Sequence, residues 1–218
     1  MDKWIMTKTG CFLLLVSLIF SALHAQTKDT LTLQQAFKQS ADSTLILTEK
    51  SGWSLGNTNA LVLSKKGDTV ACYQYKLVPP QQSSLKRIPK QLAAILNEQY
   101  HAAAKDSLRL NAYFKVYPLD VDRAQVFWIH IMKLEPWQLK DDRAEGEGCP
   151  VVDSADRPRH IFDGVTYTLY LITSDESQEL QFYEPAFYEK ECPGRASRQK
   201  MLEILSTFKS IFNKKSRI

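Results

Sequence analysis

Apolar and polar positions change their period several times along this chain, and each change marks an element. Leu33 and Phe37 stand one helical turn apart behind Thr32, so the spacing predicts a short helix to about Ser40, capped by Thr32. Thr44-Leu45-Ile46-Leu47-Thr48 is β-branched and apolar and reads as a strand. Ala60–Ser64 and Thr69–Tyr75 flank Lys65-Lys66-Gly67-Asp68, a turn in which Gly67 can take positive φ. The pair is a β-hairpin. Val78-Pro79-Pro80-Gln81-Gln82-Ser83-Ser84 extends neither element and reads as a linker. Pro89 then opens a helix to about Ala104, with Leu92, Ile95 and Leu96 at helical spacing.

Ala112–Tyr117 reads as a strand stopped by Pro118. Val126-Phe127-Trp128-Ile129-His130-Ile131-Met132 is apolar on both pleat faces and reads as a central strand, covered on both sides. Lys140 to about His160 is polar and broken by Gly146, Gly148, Pro150 and Pro158. Loops this long in compact domains are functional or mobile. Gly164–Ile172 and Glu179–Tyr183 form a second pair of strands. Met201, Leu202, Leu205, Phe208 and Phe212 make an apolar stripe on a closing helix, Ala196 to Asn213, which is stable only when laid on a sheet. Strands joined by short turns are antiparallel. The expected fold is α+β: a single mainly antiparallel sheet of about six strands with two or three packed helices.

The first 25 residues belong to another class of segment. Lys3 and Lys8 precede an apolar run from Cys11 to Leu23, and small residues at Ser21, Ala22 and Ala25 lead to Gln26. Positive, apolar, small is the order of a cleaved secretory signal. The run is too short for a bilayer, which needs about 20 residues. The expectation is a periplasmic or secreted protein with no membrane span after cleavage, carrying one domain over 26–218 and ending in a basic tail at 213–218.

Composition narrows the function classes. Apolar residues are 44% of the chain, enough for a real core. Without Lys3, Lys8 and Asp2, 26 basic and 23 acidic residues remain, an even balance that argues against nucleic acid. Three cysteines outlast the signal: Cys72, Cys149 and Cys192. An oxidising compartment allows one bridge among them. Cys149 lies between Gly148 and Pro150, and Cys192 precedes Pro193-Gly194, so both are loop residues free to reach bridge geometry. Cys72 lies in a hairpin strand and suits a small buried apolar role. The expected disulfide is Cys149–Cys192, with Cys72 free.

Candidate chemistry is sparse. His130 sits among apolar neighbours and reads as a buried, hydrogen-bonded histidine. His101 has no second histidine placed to share a metal with it. His160 precedes Asp163 by three residues, a pair that could hold a proton or orient a sugar, although Asp163-Gly164 is also a plain turn. Asp141, Asp142, Glu145, Glu147, Asp153 and Asp156 crowd one loop, where Arg143, Arg157 and Arg159 offset them; their spacing fits no calcium loop, so a solvated loop is expected. No G-x-S-x-G, C-x-x-C or phosphate-cradling glycine loop occurs, and no cofactor or metal is expected. Tyr167, Tyr170, Phe182, Tyr183, Phe187 and Tyr188 crowd the last hairpin and its exit, as core or sheet-face residues or as a carbohydrate, peptide or partner surface.

Phe162-Asp163-Gly164-Val165-Thr166-Tyr167 opens a strand, Phe182-Tyr183-Glu184-Pro185 closes the next, and an amphipathic helix follows. Residues 162–218 thereby resemble small exported bacterial domains with a D-G-x-x-Y/W strand, a strand ending at proline and a closing helix. Those domains largely lack an assigned activity, so the resemblance implies architecture and no site. The functional expectation is an exported non-catalytic binding or interaction domain for an unknown protein or small ligand. Two alternatives stand beside it: a small periplasmic hydrolase working through His160 and Asp163 in loop 140–163, and an envelope-assembly or chaperone-like factor using a sheet edge.

Overall fold

A central strand buried on both faces organises the sheet. Leu45, Ile46 and Leu47 of β1 (Ser43–Ser51) are buried on both pleat faces, and β1 pairs antiparallel with β2 (Asn59–Lys66) on one side and β5 (Val165–Thr173) on the other. Leu45 stands level with Leu63 and Leu171, and Leu47 with Leu61 and Leu169. With β3 (Thr69–Lys76), β4 (Phe114–Val116) and β6 (Ser177–Tyr183), the order is β4-β3-β2-β1-β5-β6, every neighbouring pair antiparallel. The fold is the expected α+β class with six strands.

In this computed structural model the described residues are 31–51, 59–78, 86–105, 108–111, 113–149 and 160–212. The segments expected as a signal (1–25), a linker (78–84, all but Val78) and a basic tail (213–218) lie outside them, as do Trp53 with its neighbours and residues 150–159 with Asp153 and Asp156. Residues from Thr32 onward form one compact unit.

Each sheet face carries its own core. On one, Leu45, Leu47, Leu61, Leu63, Val70, Cys72, Leu169, Leu171, Leu180 and Phe182 meet α3 (Val121–Met132) and α6 (Ala196–Phe212). On the other, Ile46, Ala60, Val62, Tyr75 and Ile172 meet Leu33 and Phe37 of α1 (Leu33–Ser40), with Tyr100 and Ala103 of α2 (Lys90–Lys105) packed alongside. Thr32 caps α1 in a reciprocal box: its Oγ1 accepts from Gln35 N at 3.2 Å, and its own N–H donates to Gln35 Oε1 at 3.0 Å. Helical spacing located α2, but its Leu92, Ile95 and Leu96 stripe faces solvent.

The largest correction concerns 126–132, expected as a central strand and found as the second half of α3. Asp120 starts the helix early, its Oδ1 accepting from Asp122 N at 3.0 Å and Arg123 N at 3.3 Å. Ala124, Trp128 and Ile131 are buried at helical spacing while Val126 and Ile129 are exposed, so the burial period is 3.6 and not 2. His130 moves with it. Its side chain is 46% exposed with Nε2 at 3.2 Å from Glu203 Oε1, where a buried residue was expected. Helices also exceed the expected two or three, since α4 (Asp142–Glu145) and α5 (Pro185–Glu191) add short turns near β6.

The β2–β3 turn is as the sequence implies. Gly67 has φ +56° and donates its N–H to Asp42 Oδ2 at 2.7 Å. Gly67→Val is expected to lower stability by about 1–3 kcal/mol, because a β-branched residue is strained at positive φ. Urea unfolding checks this, and an unchanged midpoint would contradict it.

Candidate cleft at the β6 edge

Strand β6 ends the sheet, so its outward N–H and C=O groups need partners. One helical turn supplies them. Asp141 caps α4, with Oδ1 accepting from Arg143 N at 3.1 Å and Ala144 N at 3.2 Å. Its Oδ2 accepts from Gln181 N at 3.0 Å and Arg143 Nε at 2.8 Å. Asp142 Oδ2 accepts from Tyr183 N at 2.6 Å, and Arg143 Nη2 donates to Glu179 O. Side chains thus stand where a seventh strand would pair. The expectation of a solvated acidic loop fails here, since Asp141 is only 5% exposed.

The two neighbouring carboxylates titrate in opposite directions. Burial pushes Asp141 up, but the Gln181 N–H and the Arg143 guanidinium outweigh it and hold the carboxyl below its usual range. Burial raises Asp142, and its single backbone bond to Tyr183 does not offset that, with Glu147 adding negative charge.

The segment before β5 is held by aromatic and acidic side chains from the end of β6. Tyr183 Oη accepts from Gly164 N at 3.0 Å and donates to Ile161 O at 2.9 Å. Glu184 takes left-handed backbone, φ 40°, and its Oε1 accepts from Val165 N at 2.6 Å. A Cβ at Gly164 would meet Glu184 Cγ at 2.3 Å, so the glycine of the D-G dipeptide answers to packing. These contacts lie on either side of Phe162, which is 88% exposed.

Next to these two walls is a covalent tie. Cys149 and Cys192 form the expected bridge, with Cα atoms 5.7 Å apart. Cys72 is free and buried in β3, where desolvation pushes its thiol up to about 11. The bridge ties the segment after α4 to the end of α5. Gly148, at φ +75°, packs so closely on Tyr188 that an added Cβ would lie 3.2 Å from the ring.

Between these walls lies a cleft of about 460 Å³. Asp142, Arg143 and Glu147 line one side, Ile161 and Phe162 another, and Thr166, Gln181 and Tyr183 the floor. Gln181 Nε2 and the Arg143 guanidinium are already directed at Glu179, so the groups left open to a ligand are mostly acceptors. His160 and Asp163 are exposed and flank this cleft in sequence, but neither is among the residues that line it. His101 is exposed on α2, in edge contact with Tyr100. Among the described residues no three His, Cys, Asp or Glu side chains converge as metal ligands.

Of the cleft residues, sequence reading singled out Asp142, Arg143 and Glu147 as charges, and Phe162, Thr166 and Tyr183 as parts of a motif. Gln181 carried no signal of its own. Comparison with protein-family models, curated proteins and solved structures finds no match for this chain.

Proposed function

We propose that this chain is an exported, non-catalytic binding domain whose ligand occupies the cleft between α4, the 160–162 segment and the β5–β6 floor. The observation that carries this reading is Phe162, a large apolar ring held in solvent at the mouth of a polar cleft by a braced segment. An aromatic ring open to solvent beside a concave cleft offers a ligand apolar surface to bury, next to polar groups that orient it. Export rests on the signal pattern at 1–25, and the disulfide fits an oxidising compartment. No helix among the described residues is long and apolar enough to cross a membrane. The resemblance of residues 162–218 to small exported bacterial domains falls on the part that supplies Phe162 and the floor. The hydrolase alternative through His160 and Asp163 gains no support from the cleft lining. The edge-pairing alternative meets a β6 edge already capped by α4.

A thermal-shift panel of oligosaccharides and short peptides tests the reading. A compound that binds should raise the melting temperature of the wild type. Phe162→Ala should abolish at least tenfold of its affinity, about 1.4 kcal/mol, while leaving the unliganded melting temperature unchanged. Full binding by Phe162→Ala would place the ligand elsewhere.

A further inference from the structure

Arg198 is the one charged side chain among the described residues that is essentially sealed from solvent, 2% exposed at the start of α6. A buried charge is costly unless paired. Arg198 makes no carboxylate ion pair among the described residues. Its Nη2 donates to Gly148 O at 2.9 Å, its guanidinium lies 5.7 Å from the Tyr188 ring centroid, and its Nη1 points at Cys192 Sγ, 3.7 Å away. The acidic groups nearby, Asp142 and Glu189, act on it through space without ion-pair contact, and Glu189 Oε2 is buried with no hydrogen-bond partner among the described residues. Glu189 Oε1 accepts from Gly194 N and Gln199 Nε2, and Asp142 Oδ2 accepts from Tyr183 N. Glu145 acts on Arg198 only through space, and Arg195 adds a second positive charge.

A guanidinium placed this way stabilises a thiolate and therefore favours a leaving sulfur. We propose that Cys149–Cys192 is a thiol–disulfide exchange site for dithiols, with Cys192 as the leaving thiolate held by Arg198. A dithiol thiolate attacks Cys149 Sγ. The S–S bond breaks, its electron pair stays on Cys192 Sγ, and a mixed disulfide forms at Cys149. The second thiol of the reductant loses its proton to solvent and attacks the mixed disulfide at the reductant's own sulfur. The reductant leaves as a cyclic disulfide, and Cys149 takes a proton. Two electrons pass from the dithiol to the bridge, and the Cys192 anion sits beside the Arg198 guanidinium as a counter-ion. Both cysteines are half-buried, within reach of a small thiol.

Opening the bridge removes the covalent tie on the Gly146–Cys149 segment, which carries Glu147 on the cleft wall, and leaves it held by the Arg195 and Arg198 bonds to Gly146 O and Gly148 O. That coupling rests on the binding reading, whereas the exchange chemistry does not.

Two measurements on the full mature chain test the exchange site. The first is the rate at which excess dithiothreitol opens the bridge at pH 7, followed by alkylation and peptide mass. Arg198→Gln should open about tenfold more slowly than wild type, with Arg198→Lys between them. Because Arg198→Gln could loosen the fold, the second uses reduced wild-type protein: the pH profile of iodoacetamide labelling at each cysteine. Cys192 should label with a midpoint well below the usual value of about 8.5 and below that of Cys149. Cys72, pushed to about 11, stays silent in that range. A Cys192 midpoint at or above that of Cys149 overturns the proposal. Loss of cleft binding on reduction with an ordinary Cys192 midpoint would sink the exchange site and leave the binding reading standing.

Discussion

Leu205→Ala is expected to cost about 2–5 kcal/mol of folding stability, the range of large-to-small changes in well-packed cores. Leu205 lies on α6 among Met201, Ile204, Phe208 and Ile211, all buried against the β1, β2, β5 and β6 side chains of one sheet face. An isolated helix of this length is marginal in water, so its stability comes from that stripe. Urea unfolding decides it. A change within about 0.5 kcal/mol, the surface range, would contradict the two-layer packing on this face.

Asp141→Ala is expected to destabilise by about 3 kcal/mol, since it leaves a strand N–H and an α4 terminus without their charged acceptor. The variant should also associate at high concentration, because the Gln181 N–H on the sheet edge becomes open to another chain. Asp141→Asn keeps an acceptor and should recover part of the loss. The pH dependence has a defined sign. The folded Asp141 carboxyl lies below its ordinary value of 3.8. Its contribution is therefore fully present above the unfolded value and is lost as pH falls through the folded one. Wild type should lose stability on acidification below about pH 4, and Asp141→Asn should lose less. Equal slopes for the two proteins would remove Asp141 from the edge-capping role.

Elements whose local chemistry and tertiary packing agree were legible before any coordinates. Thr32 ahead of Leu33 and Phe37 announces a capped helix, Gly67 announces a tight turn, and the Cys149 and Cys192 loops announce a bridge. The run Val126–Met132 was misread because β-branched and aromatic residues dominate it. Its helical period appears only when Asp120 and Ala124 upstream are included, so tertiary burial and a distant cap overrode the local bias. The cleft was legible in part. Phe162 and Tyr183 belong to a recognisable strand pattern, yet exposure of the one and the double hydrogen bond of the other follow from how β6 meets the 160–164 segment. The Asp141–Asp142 cap was invisible for a related reason. A carboxylate paired with a strand 40 residues away looks the same in sequence as one paired with water.

Photocrosslinking from position 162 tests the central claim most directly. A benzophenone side chain at Phe162 is irradiated in envelope extract, beside the same probe at exposed Val116 on the opposite sheet edge. The account predicts a discrete adduct from position 162 that excess unlabelled wild-type domain competes away and that Phe162→Ala domain does not. Equal adduct yields from the two positions, or competition as strong from Phe162→Ala as from wild type, would contradict it.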